Sequence, residues 1–583
     1  MKSNYDKFPT VKIAGYDKEC WAGWPAIFEK IQTEIADQPK ERTVIAVETY
    51  PGVDDAALIQ AIQNGLPKAS FFHASEAFLD EAAIDKLTFP DVTDDRVFGF
   101  MTRLTMAQFF DPRKLQDMQA QIRKTAGTIL VYGTGATLVA EAWDLLLYAD
   151  MARWEIQQRM RRQAVSNLGV RSNTLEFSRM YKRAYFVDWR VADRLKRTLL
   201  DGIDFILDTN EKDHPKMATG EAFRDALRQS AQRPFRVVPF FDPGLWGGQW
   251  MKEVCDLDRS ATNYAWCFDC VPEENSLLLD FGPITMEIPA IDLVFFQPRP
   301  LLGENVYSRF GAEFPIRFDF LDTMDGGNLS LQVHPLTEYI REHFGMFYTQ
   351  DESYYMLDVK ADACVYLGLK EDIQPEQMIA ELEAAEQGKA AFDAEKHVAR
   401  WPVQKHDHVL IPAGTVHCSG KNSMVLEISA TPYIFTFKLW DWGRIGMDGL
   451  PRPINIGHGK ENIQWDRTTD WVRENLLYRV EVMAEGNGWK EERTGLHETE
   501  FIETRRHWFS QKVPHNTAGN LQVLNLVEGR EVMVESPTGA FEPFVVHYAE
   551  TFIVPAAVGD YTIRPFGESE GRECATLKAF VRT

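Results

Sequence analysis

Over roughly the first 230 residues the apolar side chains come in unbroken runs separated by polar helical stretches. Thr43-Val44-Ile45-Ala46-Val47, Thr128-Ile129-Leu130-Val131 and Leu145-Leu146-Leu147 are such runs. A continuous β-branched apolar run of strand length predicts a buried strand, here in the layout of a nucleotide-binding strand, loop and helix. After the first run, Pro51-Gly52 predicts a turn, and Asp54-Asp55-Ala56-Ala57-Leu58 the start of a helix. Near Arg233-Pro234 the pattern changes to short strands rich in Phe, Pro and Gly. From there polar and apolar positions alternate, as in Leu331-Gln332-Val333-His334, which predicts strands with one face turned to a shared interior. The Glu- and Ala-rich stretch from Gln374 to Ala399 predicts a helix at the rim of that β-rich region. Beyond residue 470, Leu521-Gln522-Val523-Leu524-Asn525-Leu526-Val527 and Phe552-Ile553-Val554-Pro555 predict a second barrel, with no metal set of its own.

These changes divide the 583 residues into a helical extension (1–42), an α/β domain (43–232), a first β-rich domain (233–470) and a second barrel (471–583). A net charge of -23 and a pI near 5.1 argue against nucleic acid or an anionic membrane as partner, because both need a basic face. The first residues lack an apolar signal core and no segment reaches the ~20 apolar residues of a spanning helix, so the expectation is a cytoplasmic protein. Seven scattered cysteines, including a lone Cys267-x-x-Cys270 without a second pair, read as free thiols. Nothing in the chain speaks to oligomeric state.

Candidate chemistry concentrates in three short pieces. Gln332 and His334 are two residues apart, so on a strand both side chains project from one face. Glu352 opens Glu352-Ser353-Tyr354-Tyr355, and His417 closes Pro412-Ala413-Gly414-Thr415-Val416-His417. Converging in a barrel, these would form a nitrogen and oxygen set for one divalent metal per chain. Imidazole and carboxylate suit zinc, and would also hold iron, manganese or nickel.

The same pieces resemble the type I, zinc-dependent, cupin-fold mannose-6-phosphate isomerases, over about residues 235–583. Asn328 to Pro335, Glu352 to Tyr355, Ile411 to His417, Val425-Leu426-Glu427-Ile428, Trp440-Asp441-Trp442-Gly443-Arg444 and Trp246-Gly247-Gly248 carry the likeness. It implies cupin (jelly-roll) domains, zinc on Gln332, His334, Glu352 and His417, Arg444 as the catalytic arginine, and a phosphorylated hexose as substrate. The implied reaction interconverts mannose 6-phosphate and fructose 6-phosphate by proton transfer through an enediolate, whose charge a metal and an arginine would stabilise. The base stays open between His417 and a water on the metal. Lys421 and Lys438, which flank the metal-bearing segments, are the candidate phosphate ligands. Ser429-Ala430-Thr431 stands where the family has an Asn-Ser-Asp-like run, and Lys438 where it usually has arginine, so the sugar is less defined than the metal. A non-catalytic sugar-phosphate sensor and a cupin non-haem iron oxygenase are the competing readings.

The front domain resembles small-molecule P-loop kinases in its strand, loop and helix order and in the Arg-rich helix Arg153 to Arg162. Its loop departs from a working phosphate loop: Asp54, Asp55 and Ala56 stand where a glycine, a lysine and a hydroxyl belong. Two carboxylates there would repel phosphate. The expectation is a degenerate, inactive kinase-like domain, its arginines lying on a solvated helix face. The fold class expected is thus multidomain: a P-loop-kinase-like α/β domain, then β-rich cupin domains with a helical insertion.

Overall fold

The computed structural model describes residues 3–37, 40–431, 433, 435–445, 454–495 and 497–583. The chain separates into two units. One is α/β and comprises Thr10–Ser230 with Ser276–Phe296; the other holds residues up to Pro9, Ala231–Asn275 and Gln297–Thr583.

In the α/β unit the apolar runs form the strands Arg42–Thr49, Gly127–Gly133 and Leu145–Asp150. With Ser70–His73 and Phe205–Asp208 they make the parallel centre of a seven-stranded sheet. Arg42–Thr49 lies in the middle, between Gly127–Gly133 and Leu145–Asp150, so the loop after it opens at a switch point of the sheet. Ile45, Val47, Leu130, Leu147 and Leu207 pack with Ile27, Phe28 and Ile31 of helix Trp24–Asp37 and with Leu58 and Ile62 of helix Asp55–Gly65. Residues 10–42, expected as a helical extension, are instead built into this unit. Cys20–Ala22 pairs with Lys216–Thr219 at one edge of the sheet, and Thr10–Lys12 pairs with Ser276–Asp280 in a separate three-stranded sheet.

Residues 276–296, expected in the first β-rich domain, return to the same unit. Helix Ile291–Phe296 packs on helix Gly220–Ser230, with Phe223 and Phe296 edge to face at 6.1 Å.

Of the arginines expected on a solvated helix face, Arg161 and Arg162 are exposed, but Arg153 and Arg159 are not. Arg153 is buried and bonds Asp193 at 2.7 Å and Tyr50 Oη at 3.1 Å. Arg159, also buried, donates to the carbonyls of Gly52, Thr209 and Asn210. Both arginines hold loops at the C-terminal ends of the strands.

The β-rich unit contains two sandwiches of antiparallel sheets. In the first, a six-stranded sheet carries Glu352–Val359, Ser423–Ser429 and Arg317–Asp322 side by side, and a five-stranded sheet carries His417–Ser419, Leu331–Val333 and Phe437–Trp440. The Glu- and Ala-rich stretch forms helix Pro375–Glu386 and the short turn Ala394–His397. The second sandwich, over residues 481–581, pairs a six-stranded with a four-stranded sheet around a core of Phe509, Leu524, Leu526, Val532, Phe552 and Ile563. All seven cysteines are free and buried, Cys267 and Cys270 among them. Among the described residues no helix is long and apolar enough to cross a membrane.

Candidate metal centre

The first sandwich brings the four candidate ligands together from both sheets. Gln332 sits directly opposite His417 in the antiparallel pairing of Leu331–Val333 with His417–Ser419. His334 follows one residue beyond that strand, and Glu352 arrives as the first residue of a strand in the facing sheet. All four side chains are buried.

Glu352 Oε2 lies 3.1 Å from His334 Nε2, and Glu352 Oε1 2.9 Å from His417 Nε2. Gln332 Nε2 is 3.2 Å from His417 Nε2, and one ligand atom each from His334, Glu352 and His417 lie within 4.8 Å of one another.

The outer nitrogens explain what these contacts are. His334 Nδ1 is 2.8 Å from the Phe435 carbonyl, and His417 Nδ1 is 2.8 Å from the Thr415 carbonyl. A carbonyl only accepts, so both Nδ1 atoms carry the proton and both Nε2 atoms turn lone pairs toward the carboxylate, that of His417 also lying within reach of the Gln332 amide Nε2. His334 Nε2 and Glu352 Oε1 accordingly have no hydrogen-bond partner although ion-pair distances surround them. Lone pairs converging in a buried space are the arrangement a cation resolves, and backbone carbonyls behind each imidazole are the usual outer support of a metal ligand. The set fits a borderline divalent metal such as zinc.

Several supporting residues carry no sequence signal of their own. Gln350 donates to Glu352 Oε2 at 3.1 Å while its carbonyl oxygen accepts from Phe435 N, tying the ligand to the segment that orients His334. Arg467 donates to the Pro412 and Ala413 carbonyls and to Thr415 Oγ1, which fixes the loop whose Thr415 carbonyl orients His417. Gly414 turns that loop with φ +87°, and a Cβ there would lie 2.7 Å from Gln464 Cγ and 2.9 Å from the Asn462 carbonyl. Glu427 faces the same interior as Glu352, paired with Tyr354 and Asp319 across neighbouring strands. Burial, then the charge of Glu352, pushes its carboxyl well above the usual range. Strand alternation through Leu426-Glu427-Ile428 was the signal that places it inside.

Arg444 is held rather than loose. It donates to Asp441 Oδ1 at 2.5 Å and to the Asn328 carbonyl at 2.7 Å, and Asp441 in turn accepts from Ser330 Oγ at 2.6 Å. The arginine is therefore anchored to the segment that leads into Gln332. Lys438 is the cross-strand partner of Gln332 and shares its face of the sheet. Lys421 occupies an exposed turn and pairs with Asp362 at 3.2 Å, both side chains more than half exposed.

A family model described as a domain of unknown function, DUF8485, matches residues 23–232. The mannose-6-phosphate isomerase of Streptococcus mutans is 27% identical over 218 residues, covering 36% of this chain and 62% of that protein. Mannose-6-phosphate isomerase ManA of Bacillus subtilis is 28% identical over 234 residues, 40% of this chain and 68% of that protein. The chain thus spans somewhat under or about two thirds of the length of these curated relatives. A crystal structure of mannose 6-phosphate isomerase from Bacillus subtilis aligns with 60% of this chain and 99% of its own, at 18% identity and a TM-score of 0.48. The chain is related, at low identity and over about 40% of its length, to mannose-6-phosphate isomerases.

Proposed function

We propose that this protein is a metal-dependent aldose–ketose isomerase that interconverts mannose 6-phosphate and fructose 6-phosphate at a zinc site formed by Gln332, His334, Glu352 and His417. The observation that carries the reading is the pair of Nε2 lone pairs turned on Glu352, each imidazole locked from behind by a carbonyl. The kinship with mannose-6-phosphate isomerases supports the reaction class.

When bound, a divalent metal supplies Lewis-acid stabilisation of the two sugar oxygens that share charge in an enediolate. Arg444 adds a permanent positive charge whose orientation Asp441 and the Asn328 carbonyl fix in advance. Lys438, facing the same way as Gln332, is assigned to the substrate phosphate. Lys421, spent on Asp362 at the surface, is the weaker candidate. Burial and the charge of Glu352 raise the Glu427 carboxyl beside it.

The same proposal reads the α/β unit as a kinase-like scaffold without phosphoryl transfer. Asp54 accepts from Ala57 N at 3.0 Å and so caps helix Asp55–Gly65, at the helix end a phosphate would need. The cleft of about 600 Å³ above it is lined by Asp54, Asp55, Asp80 and Glu81. That lining disfavours a polyanion.

The test is a coupled assay for fructose 6-phosphate on zinc-loaded protein. Turnover of mannose 6-phosphate that is lost on chelation and restored by zinc is expected. Absence of turnover across several 6-phosphohexoses would sink the reading.

A further inference from the structure

The second sandwich encloses two imidazoles whose nitrogens are left over. His507, on strand Ile502–Phe509 of the six-stranded sheet, gives Nε2 to Glu491 Oε1 at 3.1 Å. A carboxylate accepts, so Nε2 carries the proton and Nδ1 is a bare lone pair. That Nδ1 is buried and has no hydrogen-bond partner. His515, on strand Val513–Asn516 of the facing four-stranded sheet, is 7% exposed, and neither of its ring nitrogens has a partner. The two rings meet across the sandwich with centroids 4.4 Å apart. Tyr561 stacks on the far face of His515 at 4.9 Å, and Thr576, directly opposite His507 in the strand pairing, has an unpartnered buried hydroxyl.

Burying polar nitrogens without partners costs on the order of 1–3 kcal/mol each, so three at one spot call for a ligand. The nearby charges cancel: Glu491 and Glu503 answer Arg505, at 3.3 and 2.7 Å, and Lys578 lies 3.5 Å from Glu491. What remains is a pair of imidazoles in a neutral, enclosed setting, and burial keeps both uncharged at neutral pH. Glu491 behind His507 repeats the carboxylate–histidine support common at metal ligands. Paired imidazoles select borderline divalent ions of the zinc, copper and nickel type over magnesium or calcium.

We propose that His507 and His515 hold a second transition-metal ion inside the C-terminal sandwich, separate from the centre built on His334, Glu352 and His417. The two histidines lie on strands from opposite sheets.

The experiment counts cobalt on the full-length chain after removal of metals with a chelator, by elemental analysis together with visible absorption. Wild-type protein is expected to take up two equivalents, His507→Ala and His515→Gln one each, and the double variant His334→Ala, His417→Ala one. A single equivalent on wild-type protein, with none on that double variant, would overturn the proposal and leave a buried water as the occupant. A second equivalent that persists in both His507→Ala and His515→Gln would overturn it equally. Should either variant fail to fold, the wild-type count alone decides.

Discussion

Two regions of this molecule bury comparable numbers of charged side chains and do opposite things with them. At the carboxyl ends of the α/β sheet buried charges meet opposite charges: Lys196 lies between Asp150 and Asp292, and Arg153 against Asp193. In the first sandwich, Glu352 meets two histidines whose protons point away from it. Closed accounts of charge stabilise a fold, whereas lone pairs facing one another remain open to a cation. Burial of charge alone does not mark a site; what marks this one is an anion facing two imidazoles whose own protons point away from it.

The largest effect that would test this contrast is at Glu352. Glu352→Gln removes the central anion, and isomerase activity is expected to fall by about three orders of magnitude or more, with loss of bound metal measured on the same sample. Retained activity in a metal-free variant would break the comparison. Lys196→Met is the mirror experiment: it strands Asp150 and Asp292 and is expected to cost about 3–5 kcal/mol in urea unfolding. Metal content and kcat of the folded fraction should not move.

A pH titration sharpens the comparison further. Burial, then the charge of Arg506, pushes His408 down from 6.5 to about 3. The unfolded chain binds a proton that the folded one refuses, so stability is intact above pH 6.5 and drains as pH falls from there toward 3. The slope from this residue is at most about 1.4 kcal/mol per pH unit. Urea midpoints between pH 7 and 4 should flatten in His408→Gln. The smallest effect is expected from Lys421→Ala, where an exposed pair contributes under about 1 kcal/mol and KM should hold within twofold. A large rise in KM would return Lys421 to the phosphate.

The convergence of the candidate ligands was legible because the chemistry and the spacing coincide: Gln332 and His334 lie two residues apart, and their partners sit in short recognisable pieces. Gln350 and Arg467 were not legible, since each acts through a backbone carbonyl or amide that only the folded chain brings near. Arg153 was misread as solvated for the same reason: helix periodicity shows where a side chain points, not that Asp193 waits 40 residues downstream. The buried strands of the α/β unit followed from their unbroken apolar runs. The return of residues 276–296 did not, because Ser276-Leu277-Leu278-Leu279-Asp280 looks like any other short strand until its partner Thr10–Lys12 is known.

That return has a consequence for how the protein can be taken apart or inherited. The chain enters the α/β unit, leaves it, and comes back to deliver Asp292 to Lys196 and a strand to Thr10–Lys12. No single cut releases either half: a gene split at codon 232 would leave one product with an unanswered lysine and an orphan strand, the other with the missing pieces. The two units are stitched rather than joined end to end.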